Sequence, residues 1–118
     1  MDGNNKEDMK ALLDEFYKSV GEWRKSSPEE MGAFMDFLAK VERPKSLDTK
    51  TKELIAVALS VEAHCKWCIA FHTDGAFKAG ATEDEIRESA WVAVLMGGGP
   101  SLSYMQLVEA ALVQLKKK

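Results

Sequence analysis

Hydrophobic positions recur at helical spacing along nearly the whole chain, and no alternating strand pattern competes with them. Met9, Leu12, Leu13, Phe16, Tyr17, Val20 and Trp23 follow steps of three and four, which predicts one apolar stripe on a long first helix. Pro28 stands where a first helical turn accepts proline, and Met31, Phe34, Met35, Leu38 and Val41 supply the stripe of a second helix. Arg43-Pro44-Lys45-Ser46-Leu47 reads as a connector, because a proline disfavours helix at the residue before it. Asp48 is a suitable N-cap for a third helix, in which Leu54, Ile55, Val57, Ala58, Leu59 and Val61 cover most of the circumference. Such a helix is expected at the buried centre of the fold. A fourth helix begins near Cys65 and stops at Gly80, a favoured C-terminal residue. Thr82 to Glu85 has the form of a capping box and opens a fifth helix, which runs to Gly97-Gly98-Gly99. After Pro100, Leu102, Met105, Val108, Ala111, Leu112 and Leu115 form the last stripe. The expectation is a single all-α domain over 1–118, of about six helices, with no internal repeat.

Composition adds limits. In 118 residues, 46% are hydrophobic and 30% charged, with a net charge of −3, which excludes collagenous, disordered and disulfide-stapled classes. The mildly acidic balance gives no basic face for nucleic acid; Lys116, Lys117 and Lys118 are better read as complementing the negative end of the last helix. The apolar runs Leu54 to Leu59 and Ala90 to Met96 fall far short of the ~20 residues that span a bilayer, so no membrane partner is expected. Met1 to Lys10 is too polar and acidic for a secretory signal. With only two cysteines, a reducing cytoplasm is the expected location. The Gly97-Gly98-Gly99 run matches neither the dinucleotide fingerprint nor the P-loop, and reads as a helix-to-helix turn.

The chemistry lies between Glu53 and His72. Cys65, Cys68 and His72 stand at i, i+3 and i+7, on one face of a helix. Cys65 falls at the helix start, where free amides and the dipole favour a thiolate. His72 is one turn beyond Cys68, within reach directly or through a water. A Cys-x-x-Cys at a helix start is a redox arrangement, since its thiols can close a disulfide with little backbone movement. If the third and fourth helices form an antiparallel hairpin turning at Glu62-Ala63, Glu53 lies level with His72. It could then orient the imidazole and raise its basicity.

Glu53, Cys65, Cys68 and His72 at this spacing resemble the alkylhydroperoxidase AhpD-like branch of the carboxymuconolactone decarboxylase family. Arg43-Pro44, Leu47-Asp48, Thr73, Gly80 and Glu83-Asp84-Glu85-Ile86 agree with it. The resemblance covers about 43–98, roughly half the chain, with four chemical positions in step; the helices over 6–42 are expected to serve packing and oligomerisation. It implies an all-α fold with a central helix hairpin, a homo-oligomer (trimer or hexamer) and a thiol-dependent peroxidase activity without a bound cofactor or metal. In that scheme Cys68 is the peroxidatic nucleophile, His72 its base, Glu53 the supporting carboxylate and Cys65 the resolving thiol. The substrate is a peroxide, and a lipoyl or thioredoxin-like dithiol protein supplies the electrons. Two features depart from the pattern. The chain is shorter than the characterised alkylhydroperoxidase, and Lys66 and Trp67 fill the gap where that enzyme has a histidine between its cysteines. His64 stands just before the pair as a possible electrostatic substitute. True lactone decarboxylases lack the cysteine pair, so decarboxylation is not the expected activity.

Two rival readings use the same residues. Glu53, Cys65, Cys68 and His72 are four possible zinc ligands, although Cys65 and His72 lie ~10.5 Å apart along a straight helix. The cysteine pair could instead switch an oligomer interface as a non-enzymatic redox sensor.

Overall fold

The computed structural model describes residues 7–116. Six helices follow one another: α1 (Met9–Ser26), α2 (Pro28–Glu42), α3 (Thr49–Glu62), α4 (Lys66–Lys78), α5 (Glu83–Gly97) and α6 (Gly99–Leu115). Among the described residues there is no strand. Their boundaries follow local chemistry. The Asp8 and Asp48 side chains accept the amides of Ala11 and Thr51, closing the first turns of α1 and α3. Thr82 and Glu85 form the reciprocal capping box at the start of α5. Gly80, just beyond α4, has φ +93°, which suits glycine. The break between α5 and α6 is one residue, Gly98, also at positive φ (+70°).

The core lies between α1, α3, α4, α5 and α6. Met9, Val57, Ile69, Ile86, Val108 and Leu112 are its largest fully buried apolar side chains, together with Val61. Helices α3 and α4 form the predicted antiparallel hairpin, and α5 and α6 pack across it. Helix α3 lies at the centre of the fold as expected, packed against α4, α5 and α6, but one of its apolar sides stays uncovered. Val57 and Val61 are enclosed, but Ile55 and Leu59 keep 45% and 63% of their surface exposed. The reason is α2, which touches α1 and the start of α3 without covering the rest of that face. Helix α2 forms as its spacing predicts yet buries none of its residues, and Phe34, Phe37 and Val41 face solvent. In α1, likewise, Met9, Leu12, Leu13 and Val20 enter the core while Tyr17 and Trp23 remain exposed.

Lys116, the C-cap residue of α6, pairs with Glu83 at 3.5 Å. The reading of Lys117 and Lys118, and that of 1–6 within the N-terminal segment, lie outside the described residues. Among the described residues no helix is long and apolar enough to cross a membrane.

Candidate functional site

The turn from α3 to α4 sets the cysteines. His64 takes a left-handed conformation (φ 55°) and its ring stacks on Tyr104, centroids 4.7 Å apart. Cys65 follows in extended backbone as the N-cap of α4. Its amide donates to the Ser60 carbonyl (3.1 Å), and its sulfur accepts the Cys68 amide (3.2 Å). Cys65 and Cys68 form a disulfide across a Cα–Cα distance of 5.2 Å, and both are partly exposed. Between them Trp67 points its indole N–H to Glu15 (2.9 Å), while Lys66 pairs with Glu7 (3.3 Å), fastening the start of α4 to the beginning of the chain.

One turn along α4, His72 Nδ1 lies 2.7 Å from Glu53 Oε1. A carboxylate accepts, so Nδ1–H donates and Nε2 is left as the nitrogen able to take a proton. The Glu53 side chain is 7% exposed and that of His72 21%, which keeps water from competing for the bond. Phe71 meets the His72 ring edge-on at 5.0 Å and is itself held by Phe16 (5.3 Å) and Tyr17 (5.9 Å) of α1.

Two residues that the sequence reading did not select complete the site. Gly75 is the first. A β-carbon there would stand 2.7 Å from Glu53 Cδ and closer still to Oε2, so the carboxylate lies against the bare backbone of α4. A signal existed: a glycine inside a helix costs ~1 kcal/mol relative to alanine and often marks a close approach. Glu42 is the second. It is the last residue of α2, and its Oε2 lies 3.9 Å from His72 Nδ1. Burial first, then the nearness and charge of Glu53, push its carboxyl up to about 7, against the opposing pull of His72. No sequence signal announced it, because its position depends on how the connector after α2 folds back. That fold is held by α3: Thr49 Oγ1 donates to the Glu42 carbonyl (2.8 Å), and Lys52 Nζ to the carbonyls of Val41 (2.7 Å) and Arg43 (2.8 Å).

The structure therefore brings Glu53 and His72 together as the hairpin register predicts, with the Cys65–Cys68 pair at the start of the same helix. His64 is exposed and occupied with Tyr104. The zinc set of Glu53, Cys65, Cys68 and His72 is not what the fold assembles, for two reasons. Both sulfurs are in a disulfide, whereas a zinc-binding cysteine is a thiolate. The donor atoms that do gather, within 4.8 Å of one another, belong to Glu42, Glu53 and His72.

The profile of the carboxymuconolactone decarboxylase family matches residues 28–111. The chain belongs to that family. Its match is wider than the 43–98 stretch that carries the resemblance, taking in α2 and most of α6. The chain is similar to the apo form of a carboxymuconolactone decarboxylase family protein from Legionella pneumophila, with TM-score 0.85 and 38% identity over 92% of this chain and 97% of that one. A second structure of the family, from Thermotoga maritima, has TM-score 0.78 and 27% identity over 87% and 88% of the two chains; that protein has been suggested to take part in an antioxidative response. Among curated proteins, an uncharacterized protein of Cupriavidus necator is 36% identical over 97 residues, 82% of this chain and 86% of its own. The uncharacterized protein 4 in the cox locus of Paracoccus denitrificans is 34% identical over 97 residues, covering 82% and 87%.

Proposed function

We propose that this member of the family is a thiol peroxidase that cycles Cys65 and Cys68 between dithiol and disulfide. In the reduced protein, Cys68 passes its proton to His72 Nε2, and the thiolate attacks the terminal oxygen of a hydroperoxide. A sulfur–oxygen bond forms, the oxygen–oxygen bond breaks, and the departing alkoxide takes the proton back from His72. Glu53 fixes the ring orientation and stabilises the transient imidazolium. The Cys65 thiol then gives up its proton and its sulfur attacks the Cys68 sulfenic acid; the sulfur–oxygen bond breaks, the hydroxide takes that proton and leaves as water, and the disulfide closes before over-oxidation. A lipoyl or thioredoxin-like dithiol protein restores the pair by two exchange steps and leaves as its own disulfide. When a donor thiol attacks Cys68, the leaving sulfur is Cys65, whose N-cap position stabilises its negative charge. No metal or cofactor takes part, and lactone decarboxylation is not proposed.

One observation carries the reading: a Cys65–Cys68 disulfide at the start of α4, with a hydrogen-bonded Glu53–His72 pair one turn further on. The uncovered apolar face supports assembly as a homo-oligomer; that it is a trimer or hexamer is what the family resemblance implies. Phe37, Val41, Ile55, Ala56 and Leu59 line a groove of about 620 Å³ between α2 and α3, rimmed by Lys40, Lys45 and Lys52. A dithiol that must be reduced again each cycle fits a cytoplasmic location.

The test is consumption of hydrogen peroxide and an organic hydroperoxide with dihydrolipoamide or thioredoxin as donor. Sustained turnover, abolished in Cys68→Ser and in Cys65→Ser, is expected. A disulfide that is reduced and reoxidised with a change of assembly, but without sustained turnover, would instead identify a redox-sensing oligomer.

A further inference from the structure

We infer that Glu42 is a positioning residue that shares one proton with Glu53 above His72, so that the three side chains titrate as a unit and set the pH range in which His72 accepts the Cys68 proton. The inference rests on the peroxidase reading for its chemical meaning, but the shared proton itself does not.

Donor atoms of Glu42, Glu53 and His72 lie within 4.8 Å of one another, and Glu53 Oε1 already takes the one proton that His72 Nδ1 offers. Two carboxylates at that separation, one of them 5% exposed, repel if both are ionised. Among the described residues, His72 is the basic side chain within ion-pair distance of either. Two lysines of the neighbouring helices are committed elsewhere. Lys52 on α3 is bonded to the carbonyls of Val41 and Arg43, and Lys40 on α2 to Asp36. The charges that act on Glu42 come from Glu53 on α3 and His72 on α4. A proton held between the carboxylates relieves the repulsion and leaves one negative charge beside the imidazole. Loss of that proton leaves two, which strengthens His72 as a base. Glu42 thus adjusts the relay without touching peroxide, and interacting groups of this kind titrate in steps that belong to the set.

The direct test needs no turnover. In the disulfide form, follow the ring nitrogens of His72 by 15N NMR and the Glu42 carboxyl by 13C NMR between pH 4 and 10. The expected result is a His72 curve in two steps, one shared with the Glu42 carboxyl near neutral pH, which collapses to a single step in Glu42→Gln. The wild-type curves alone are decisive if the variant folds poorly. A Glu42 carboxyl that titrates in one step in the ordinary carboxylate range, with His72 indifferent to it, overturns the proposal. Stoichiometric zinc, manganese or iron in the purified protein, whose removal by a chelator abolishes the upper step, overturns it as well, since a cation would then balance the two carboxylates. The two-step curve in a protein that consumes no peroxide supports the shared proton and overturns the peroxidase reading alone.

Discussion

Glu53 rests its carboxylate against the backbone of α4 at Gly75, where a β-carbon would come within 2.7 Å of Cδ. The contact explains how a carboxyl group becomes almost fully buried and still meets His72 at 2.7 Å. His72 supplies the hydrogen bond, and one turn later Gly75 supplies the space. The pair is held by hairpin packing, so its geometry is a property of the fold and not of side-chain chance.

Gly75→Ala should therefore displace Glu53. Alanine gains ~1 kcal/mol of helix propensity, while overpacking against a buried carboxylate costs ~1–3 kcal/mol, so a net loss of stability of ~1 kcal/mol is expected. The rate of Cys68 oxidation should fall with it. Urea unfolding midpoints and single-turnover peroxide kinetics check both; an alanine variant equal to wild type in each would contradict the seat assigned to Glu53.

Glu53→Gln preserves the shape of the seat but removes the charge that supports an imidazolium. Peroxide reaction of Cys68 should slow by ~100-fold, and His72→Gln should slow it to a similar degree, as expected for loss of general acid–base assistance. The double variant should be little slower than either single one, because the two act as a unit. Second-order rate constants from stopped-flow fluorescence supply the comparison, with circular dichroism to verify the fold.

The Glu42 carboxyl leaves a mark on stability. Its value of about 7 in the folded chain exceeds the ordinary 4.5, so the native state favours the protonated form. The associated stability is complete below pH 4.5 and is lost as pH rises through 7. Glu42→Gln has no such loss and should gain on wild type across that window by ~1 kcal/mol, a figure reduced for partial solvent exposure. Thermal unfolding at pH 4.5, 6 and 8 reads this as a widening gap in Tm that levels off above neutrality; a constant gap would contradict it.

Much of this was legible in the chain because it is governed by local rules. Asp48 and Thr82 cap the third and fifth helices, hydrophobic steps of three and four find the first, second and last, and Gly80 marks the end of the fourth. The Glu53–His72 contact was also legible, since two helices joined by a short turn must face each other at equal distance from it. Helix α2 was harder. Its stripe of Met31, Phe34, Met35, Leu38 and Val41 gives the helix but not the surface it meets, and within one chain none of those residues is buried. Glu42 escaped for a related reason. Its approach to His72 is fixed by Thr49 and Lys52 capping the end of α2, contacts between segments that periodicity does not link.

The groove between α2 and α3 supplies a prediction about assembly. Phe37 is 64% and Leu59 63% exposed, and neither supports the core of its own chain. Phe37→Glu with Leu59→Glu should leave helicity intact but shift the protein to smaller species in light scattering after size-exclusion chromatography. An unchanged mass, whether monomeric or oligomeric, would show that subunits do not meet there.

The central claim is that the Cys68 thiolate attacks peroxide and that Cys65 resolves the product. The most direct measurement is mass spectrometry of reduced Cys65→Ser and Cys68→Ser after one equivalent of peroxide in the presence of a sulfenic-acid trap. The account predicts a near-stoichiometric adduct on Cys68 in Cys65→Ser and little on Cys65 in Cys68→Ser. An adduct confined to Cys65 would reverse the roles, and no adduct in either protein would contradict the peroxidase account itself.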